Sequence, residues 1–276
     1  MLSSWPCDMM TSLIYYENMS MGDSSPIPLT EEDAVALILS EPRPVVFVDT
    51  CCLGDIFRGI LDGKIDDVRK VCLAIQNNSQ NHYCHYVFSE QVKDEFCKPD
   101  QFVKREIDAL NQPIRKWNNA VRASKVLSGD VFRGIKSYTQ FDLSWATGLY
   151  EDLRGQIAGM FRAGHVVIPS EKSRVWGSCR EGSRKRPAHQ GKDSFGDCLI
   201  CGSAINMTRM LRSKGFVCAA YFTSSNVKDY MGVNRDCLHA DLRDDFASCN
   251  LTYCNSVLQV YGLIVKGTMN KGAAVS

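Results

Sequence analysis

The sequence predicts an α/β fold, a central parallel sheet flanked by helices, and three observations carry that prediction. Short apolar runs rich in β-branched residues, foremost Val45-Val46-Phe47-Val48, lack polar alternation, as expected of strands covered on both faces. These runs alternate with stretches of helical periodicity. Carboxylates stand at strand ends and helix starts, Asp49 directly after the first run, and that edge is where an open α/β sheet presents its ligand crevice.

Taken in order, residues 1–29 mix Ser, Met, Pro and Asp without lasting periodicity and read as an N-terminal extension. Thr30 with Asp33 resembles a capping box with a shorter acid, and Ala34, Leu37 and Ile38 share one helical face that Pro42 and Pro44 terminate. After the strand Val45 to Val48, helical patterns cover about Cys52 to Gly59 and Ile65 to Gln76. Tyr83 to Phe88 alternates like a second strand, and Ser89 is placed to cap a helix carrying Glu95. From about residue 100 to 163, apolar residues at three- and four-residue steps predict a helical insertion that Pro113 divides. Val166 to Pro169 reads as a strand and residues 171–192 as a basic loop. Asp197 opens a long apolar helix to about Leu211, Phe216 to Thr223 reads as a strand, and His239 to Cys249 and Tyr253 to Val265 read as closing helices. One domain over residues 30–266, with a tail over 267–276, accounts for the length.

The net charge of +1 hides an asymmetry: residues 171–192 hold seven basic against two acidic residues, a local +5. A uniformly basic coat is excluded, whereas a focused patch of Arg180, Arg184, Lys185, Arg186 and Lys192 suits backbone phosphates, with Trp176 and His189 near enough in sequence to stack a base. A solvated loop is the competing reading. The 13 cysteines form no two-halved zinc pattern and no secretory leader is evident, so reduced thiols and a cytoplasmic setting are expected. The longest apolar run near the C-terminus falls far short of the ~20 residues that span a bilayer, so no membrane segment is predicted.

Asp49, Glu95, Asp197 and Asp229 would repel one another in an empty pocket, and Mg²⁺ or Mn²⁺ would neutralise them. Such cations lower the pKa of an attacking water and offset charge on a phosphodiester, so no nucleophilic side chain is required. Each acid also has a plainer reading. Asp49 could cap the next helix, Glu95 competes with Glu90 and Asp94, Asp197 could be an N-terminal cap with Asp193 as rival, and Asp229 is a ligand or a cap. Thr223, Ser224, Ser225 and Asn226 form an ordinary turn or a set of hydroxyls and amides facing a phosphate.

In this order, Val46-Phe47-Val48-Asp49-Thr50, Val92 to Phe96, Gly196-Asp197-Cys198-Leu199-Ile200 and Phe222 to Tyr230 resemble the four motifs of the PIN-domain nucleases, over residues 44–97 and 190–265. The resemblance implies a Rossmann-like sheet and Mg²⁺- or Mn²⁺-dependent cleavage of single-stranded RNA by Asp49, Glu95, Asp197 and Asp229. Ser224 stands where that family often has Thr, with Asn226 beside it. The helical insertion and the basic loop before the Gly-Asp motif are closer to the larger bacterial PIN-like branch. By the same analogy the chain is a toxin or defence effector restrained by an inhibitory or sensor protein or a partner subunit, with the insertion as the contact surface, and a homo-oligomer is the other assembly expected.

Three other functions compete. An aspartyl phosphatase would want an acid where Cys51 stands. A DNA nuclease of the same fold uses the same metal chemistry, and a non-catalytic RNA-binding or regulatory module would have lost its cation.

Overall fold

The computed structural model describes residues 26–61, 64–97, 108, 112–113, 115–121, 144–188, 194–235 and 237–273. Among them six parallel strands, β1 (Leu29–Thr30), β2 (Val45–Val48), β3 (His85–Ser89), β4 (His165–Ile168), β5 (Ala220–Thr223) and β6 (Leu251–Cys254), form one sheet of order β1-β4-β3-β2-β5-β6. The helices are α1 (Glu31–Ser40), α2 (Thr50–Leu61), α3 (Ile65–Asn81), α4 (Glu90–Cys97), α5 (Ser144–Ala163), α6 (Glu171–Gly182), α7 (Phe195–Ser213), α8 (Val227–Tyr230), α9 (Ala240–Cys249) and α10 (Val257–Ala273). The predicted α/β class with a parallel, Rossmann-like sheet is therefore observed.

Parallel neighbours cannot be joined by a tight turn, so every connection must cross a face of the sheet and bring a helix with it. Helices α1, α6, α7 and α9 pack together as one layer, and α2, α3, α5 and α10 as another. Between them all four residues of β2 are buried, which explains their unbroken apolar character. Phe88, Phe222, Ile157, Met160, Ile205 and Leu211 fill the core.

The predicted helical insertion lies in the connection between the adjacent strands β3 and β4. Residues 115–121 are helical, but α5 is the crossover that joins the adjacent strands β3 and β4 and packs against both. Its Ile157, Met160 and Phe161 are core residues, and the Phe161 ring lies 4.6 Å from that of Phe88. Residues 122–143 of the same stretch lie outside the described residues.

The basic segment is likewise not a loop over most of its length. Ser170 caps α6 by accepting from the Ser173 amide, and α6 then lies along α7. The close crossing depends on Gly202: a methyl group there would stand 2.9 Å from Trp176 Cε3 and 3.0 Å from the Ser173 carbonyl.

Strand limits differ from expectation for local reasons. Arg212 Nη1 donates to the carbonyls of Phe216 and Cys218, which removes them from ladder pairing, so β5 begins only at Ala220. Asn78 bonds both the amide and the carbonyl of Cys84 and holds the turn after α3, so β3 starts at His85. Tyr253 belongs to β6 rather than to a helix, and β1 at the other edge is two residues long. Thr30 caps α1 as expected by accepting from the Asp33 amide at 3.1 Å, while α10 continues through the predicted tail to Ala273. No helix among the described residues is long and apolar enough to cross a membrane.

Candidate functional site

Numbered from β2 onward, the five longer strands run 3-2-1-4-5, so the direction of winding reverses between β2 and β5, where open α/β sheets hold ligands outside their carboxyl ends. The register pairs Val48 with Thr223. The next residues on the two strands are Asp49 and Ser224. The Asp49 amide donates to the Thr223 carbonyl at 3.0 Å and the Ser224 amide to the Cys254 carbonyl at 3.1 Å, so the ladder carries both residues to the rim.

Asp49 is 2% exposed and Ser224 fully buried. Ser224 Oγ donates to Asp49 Oδ2 at 2.6 Å, and the Cys51 thiol approaches the same oxygen at 3.2 Å and Ser224 Oγ at 3.2 Å. Tyr253 of β6 anchors this corner by donating its hydroxyl to the Ser224 carbonyl at 2.6 Å. Burial above all, then Cys51 and the charge of Asp197, push the Asp49 carboxyl well above the usual carboxylate range, with the Ser224 bond opposing them.

Asp197 sits in the first turn of α7, where an acid is favoured by the helix dipole. Its carbonyl accepts from the hydroxyl of the fully buried Tyr230 at 3.3 Å. Burial first, then the Asp49 charge, raise the Tyr230 phenol well above its ordinary range, and Asp197 adds to the same effect. Glu95, on α4, reaches the same helix start: a methyl group on Gly196 would lie 3.0 Å from Glu95 Oε1. Gln91 Nε2 donates to that oxygen at 2.7 Å.

Asp229 is placed differently. It is buried, Arg186 Nη1 donates to its Oδ1 at 3.0 Å, and Asn226 Nδ2 donates to its Oδ2 at 2.6 Å. Asn226 in turn gives its amide to Ser224 Oγ at 3.2 Å. The fourth acid is thus bound to a cation of the protein itself, which the sequence pattern alone did not distinguish from a metal-ligand role.

The predicted phosphate-binding patch also divides. Arg180 covers the Trp176 ring at 4.7 Å, donates to the Asp241 carbonyl at 2.6 Å and pairs with Asp245. Arg186 pairs with Asp229, and its amide donates to Asp241 Oδ2 at 3.0 Å. Both arginines fasten the end of α6 to α8 and α9, and Trp176 is already covered. Arg184 and Lys185 are exposed; Lys192, His189 and Asp193 lie outside the described residues.

Ser89 is not the expected cap. Its hydroxyl is buried without a hydrogen-bond partner among the described residues, as is Thr50 Oγ1 directly after Asp49. Two orphaned hydroxyls at the ends of adjacent strands are groups that a ligand or its hydration shell would satisfy. Cys51 and Tyr230 were absent from the predicted site because their types do not advertise a role; only their positions beside two motif acids could have pointed to them. The cysteines with described side chains are free thiols. Among the described residues, no group of three or more His, Cys, Asp or Glu side chains is gathered closely enough to hold a metal ion.

No family model matches the chain, and neither a curated protein nor a solved structure matches it.

Proposed function

We propose that the cleft at the carboxyl ends of β2 and β5 is the active site of a Mg²⁺- or Mn²⁺-dependent nuclease of the PIN-like kind, acting on single-stranded RNA. One observation carries this reading. At the reversal point of the sheet, the buried Asp49 carboxyl is bonded by Ser224 Oγ at 2.6 Å, and Asp197 adds to the effect of burial in raising its pKa.

The donor set suits these cations. Mg²⁺ is commonly held through one or two carboxylates, with water and substrate phosphate completing its shell, so a full cage of protein ligands is not required. Asp49 and Asp197 would hold the cation and Glu95, against the start of α7, would support it. The cation would supply a water of lowered pKa and offset charge on the phosphodiester. Ser224 and Cys51 orient Asp49, and Tyr253 holds Ser224 in place. The choice of RNA rests on the motif resemblance, and the arginine pairings favour a smaller basic contact surface than the composition suggests.

The test is Mn²⁺ titration of the purified protein against labelled single-stranded RNA and DNA, with Asp49→Asn and Asp197→Asn alongside. Cleavage by the wild type and its loss in both variants by 10²-fold or more is expected. Equal cutting by all three proteins would displace the site, and a wild type inert on both nucleic acids with either cation would overturn the proposal.

A further inference from the structure

We infer that Arg186 is the side chain that receives a phosphate oxygen at the rim of this cleft, and that Asp229 is its positioning residue rather than a cation ligand. The inference rests on the cleft being a phosphodiester site, and it assigns the charge that the acids alone cannot supply. The carboxylates of Asp49, Asp197 and Glu95 repel a nucleic-acid backbone, so a cation fixed near them has a function even before any metal enters.

Arg186 is held for that task at both ends. Its main chain is fixed by the Asp241 carboxylate at 3.0 Å and by Arg180, which donates to the Arg186 carbonyl at 3.4 Å. Its side chain is aimed by Asp229 at 3.0 Å. The exposures are unequal: the guanidinium side chain keeps 25% of its surface open, whereas Asp229 keeps 5%. The acid is enclosed and the base is presented. A continuous polar path links this pair to the first acid, from Asp229 through Asn226 to Ser224 Oγ and Asp49 Oδ2.

The planar guanidinium matches the geometry of phosphate oxygens, and a charge already ordered within the protein loses little entropy on taking a further anion. Asp229, with one oxygen committed to Arg186 and the other to Asn226, is a poorer candidate for a cation than Asp49 or Asp197.

Binding and cation affinity separate the roles. Anisotropy of a labelled single-stranded oligonucleotide, measured in chelator across a salt series, should show Arg186→Gln binding about tenfold more weakly, with a salt slope reduced by about one. Arg186→Lys, which keeps the charge and is the gentler change, should keep the slope and lose about threefold in affinity, because the fork is gone. Asp229→Asn should also weaken oligonucleotide binding, while calorimetric Mn²⁺ affinity stays within about twofold of wild type and Asp49→Asn loses it. Melting curves identify any variant that has not folded, and in that event Arg186→Lys decides. Unchanged binding and slope in both Arg186 variants overturn the inference alone, as does a loss of Mn²⁺ affinity in Asp229→Asn equal to that in Asp49→Asn. A wild type that binds neither oligonucleotide nor Mn²⁺ removes the underlying reading of the cleft as well.

Discussion

Glu31 offers the sharpest test of how the helices are held over the sheet. It is fully buried at the first position of α1 and accepts four side-chain donors from two other helices. Ser173 Oγ and Ser203 Oγ donate to Oε1, each at 2.7 Å; Ser170 Oγ at 2.7 Å and Asn206 Nδ2 at 2.6 Å donate to Oε2. One carboxylate therefore joins α1, the cap of α6 and the middle of α7. In Glu31→Ala the half-buried Ser170 and Asn206 can turn to water, but Ser203 cannot, and Ser173 keeps only its 3.2 Å contact with Ser170 Oγ. Each such stranded donor costs about 1–3 kcal/mol, and relief from burying a charge offsets part of it, which leaves a net loss of about 3 kcal/mol. Glu31→Gln keeps one acceptor oxygen, and its amide meets hydroxyls that can rotate to accept, so about 1–2 kcal/mol is expected. Guanidinium unfolding followed by circular dichroism measures both. A Glu31→Ala protein within about 1 kcal/mol of wild type, or a Glu31→Gln protein less stable than Glu31→Ala, would refute the reasoning.

Three further outcomes follow from the same structure. Because the folded-state pKa of Asp49 is raised, its contribution to stability is fully present below the unfolded value of 3.8 and is lost as pH rises toward the folded value. Asp49→Asn should then melt higher than wild type at neutral pH without metal, whereas Mn²⁺ should raise the melting temperature of the wild type only. His165 is held down to about 4 by burial and by His85, whose Nδ1 lies 3.2 Å from His165 Nε2, so the unfolded chain takes up its proton first. Stability should fall by roughly 1–2 kcal/mol between pH 6.5 and pH 4, and His165→Gln should flatten that slope in pH-dependent denaturation. Gly202→Ala should cost about 1–3 kcal/mol in the same assay, since the added methyl meets the Ser173 backbone as well as the Trp176 ring.

What could be read from the chain alone depended on whether the signal was local. Val45 to Val48, the Thr30 cap and the long helix opened by Asp197 are dictated by neighbouring residues, and they formed as expected. The two outer strands were missed because Leu29–Thr30 is only two residues long and Leu251–Cys254, with Thr252 exposed, lacks the unbroken apolar run that marks Val45 to Val48. Helix α5 was read as an insertion because nothing in its own pattern says that it must bridge two adjacent strands; topology decides that. The placement of Asp49 beside Ser224 follows from position after a strand. The diversion of Asp229 to Arg186, and of Arg180 to Asp245, did not, because charge counts do not say which opposite charges meet. Glu31 resembled an ordinary acid at a helix start, and its four partners lie 139 to 175 residues away.

The bond between Ser224 and Asp49 spans 175 positions of chain. During synthesis, the first acid therefore waits until most of the polypeptide has followed it before its partner can arrive, and contacts of such range form late. A nascent or truncated chain carries the acids without the cleft. The corner where Asp49 meets Ser224 therefore exists only once β2 and β5 are paired in the assembled sheet.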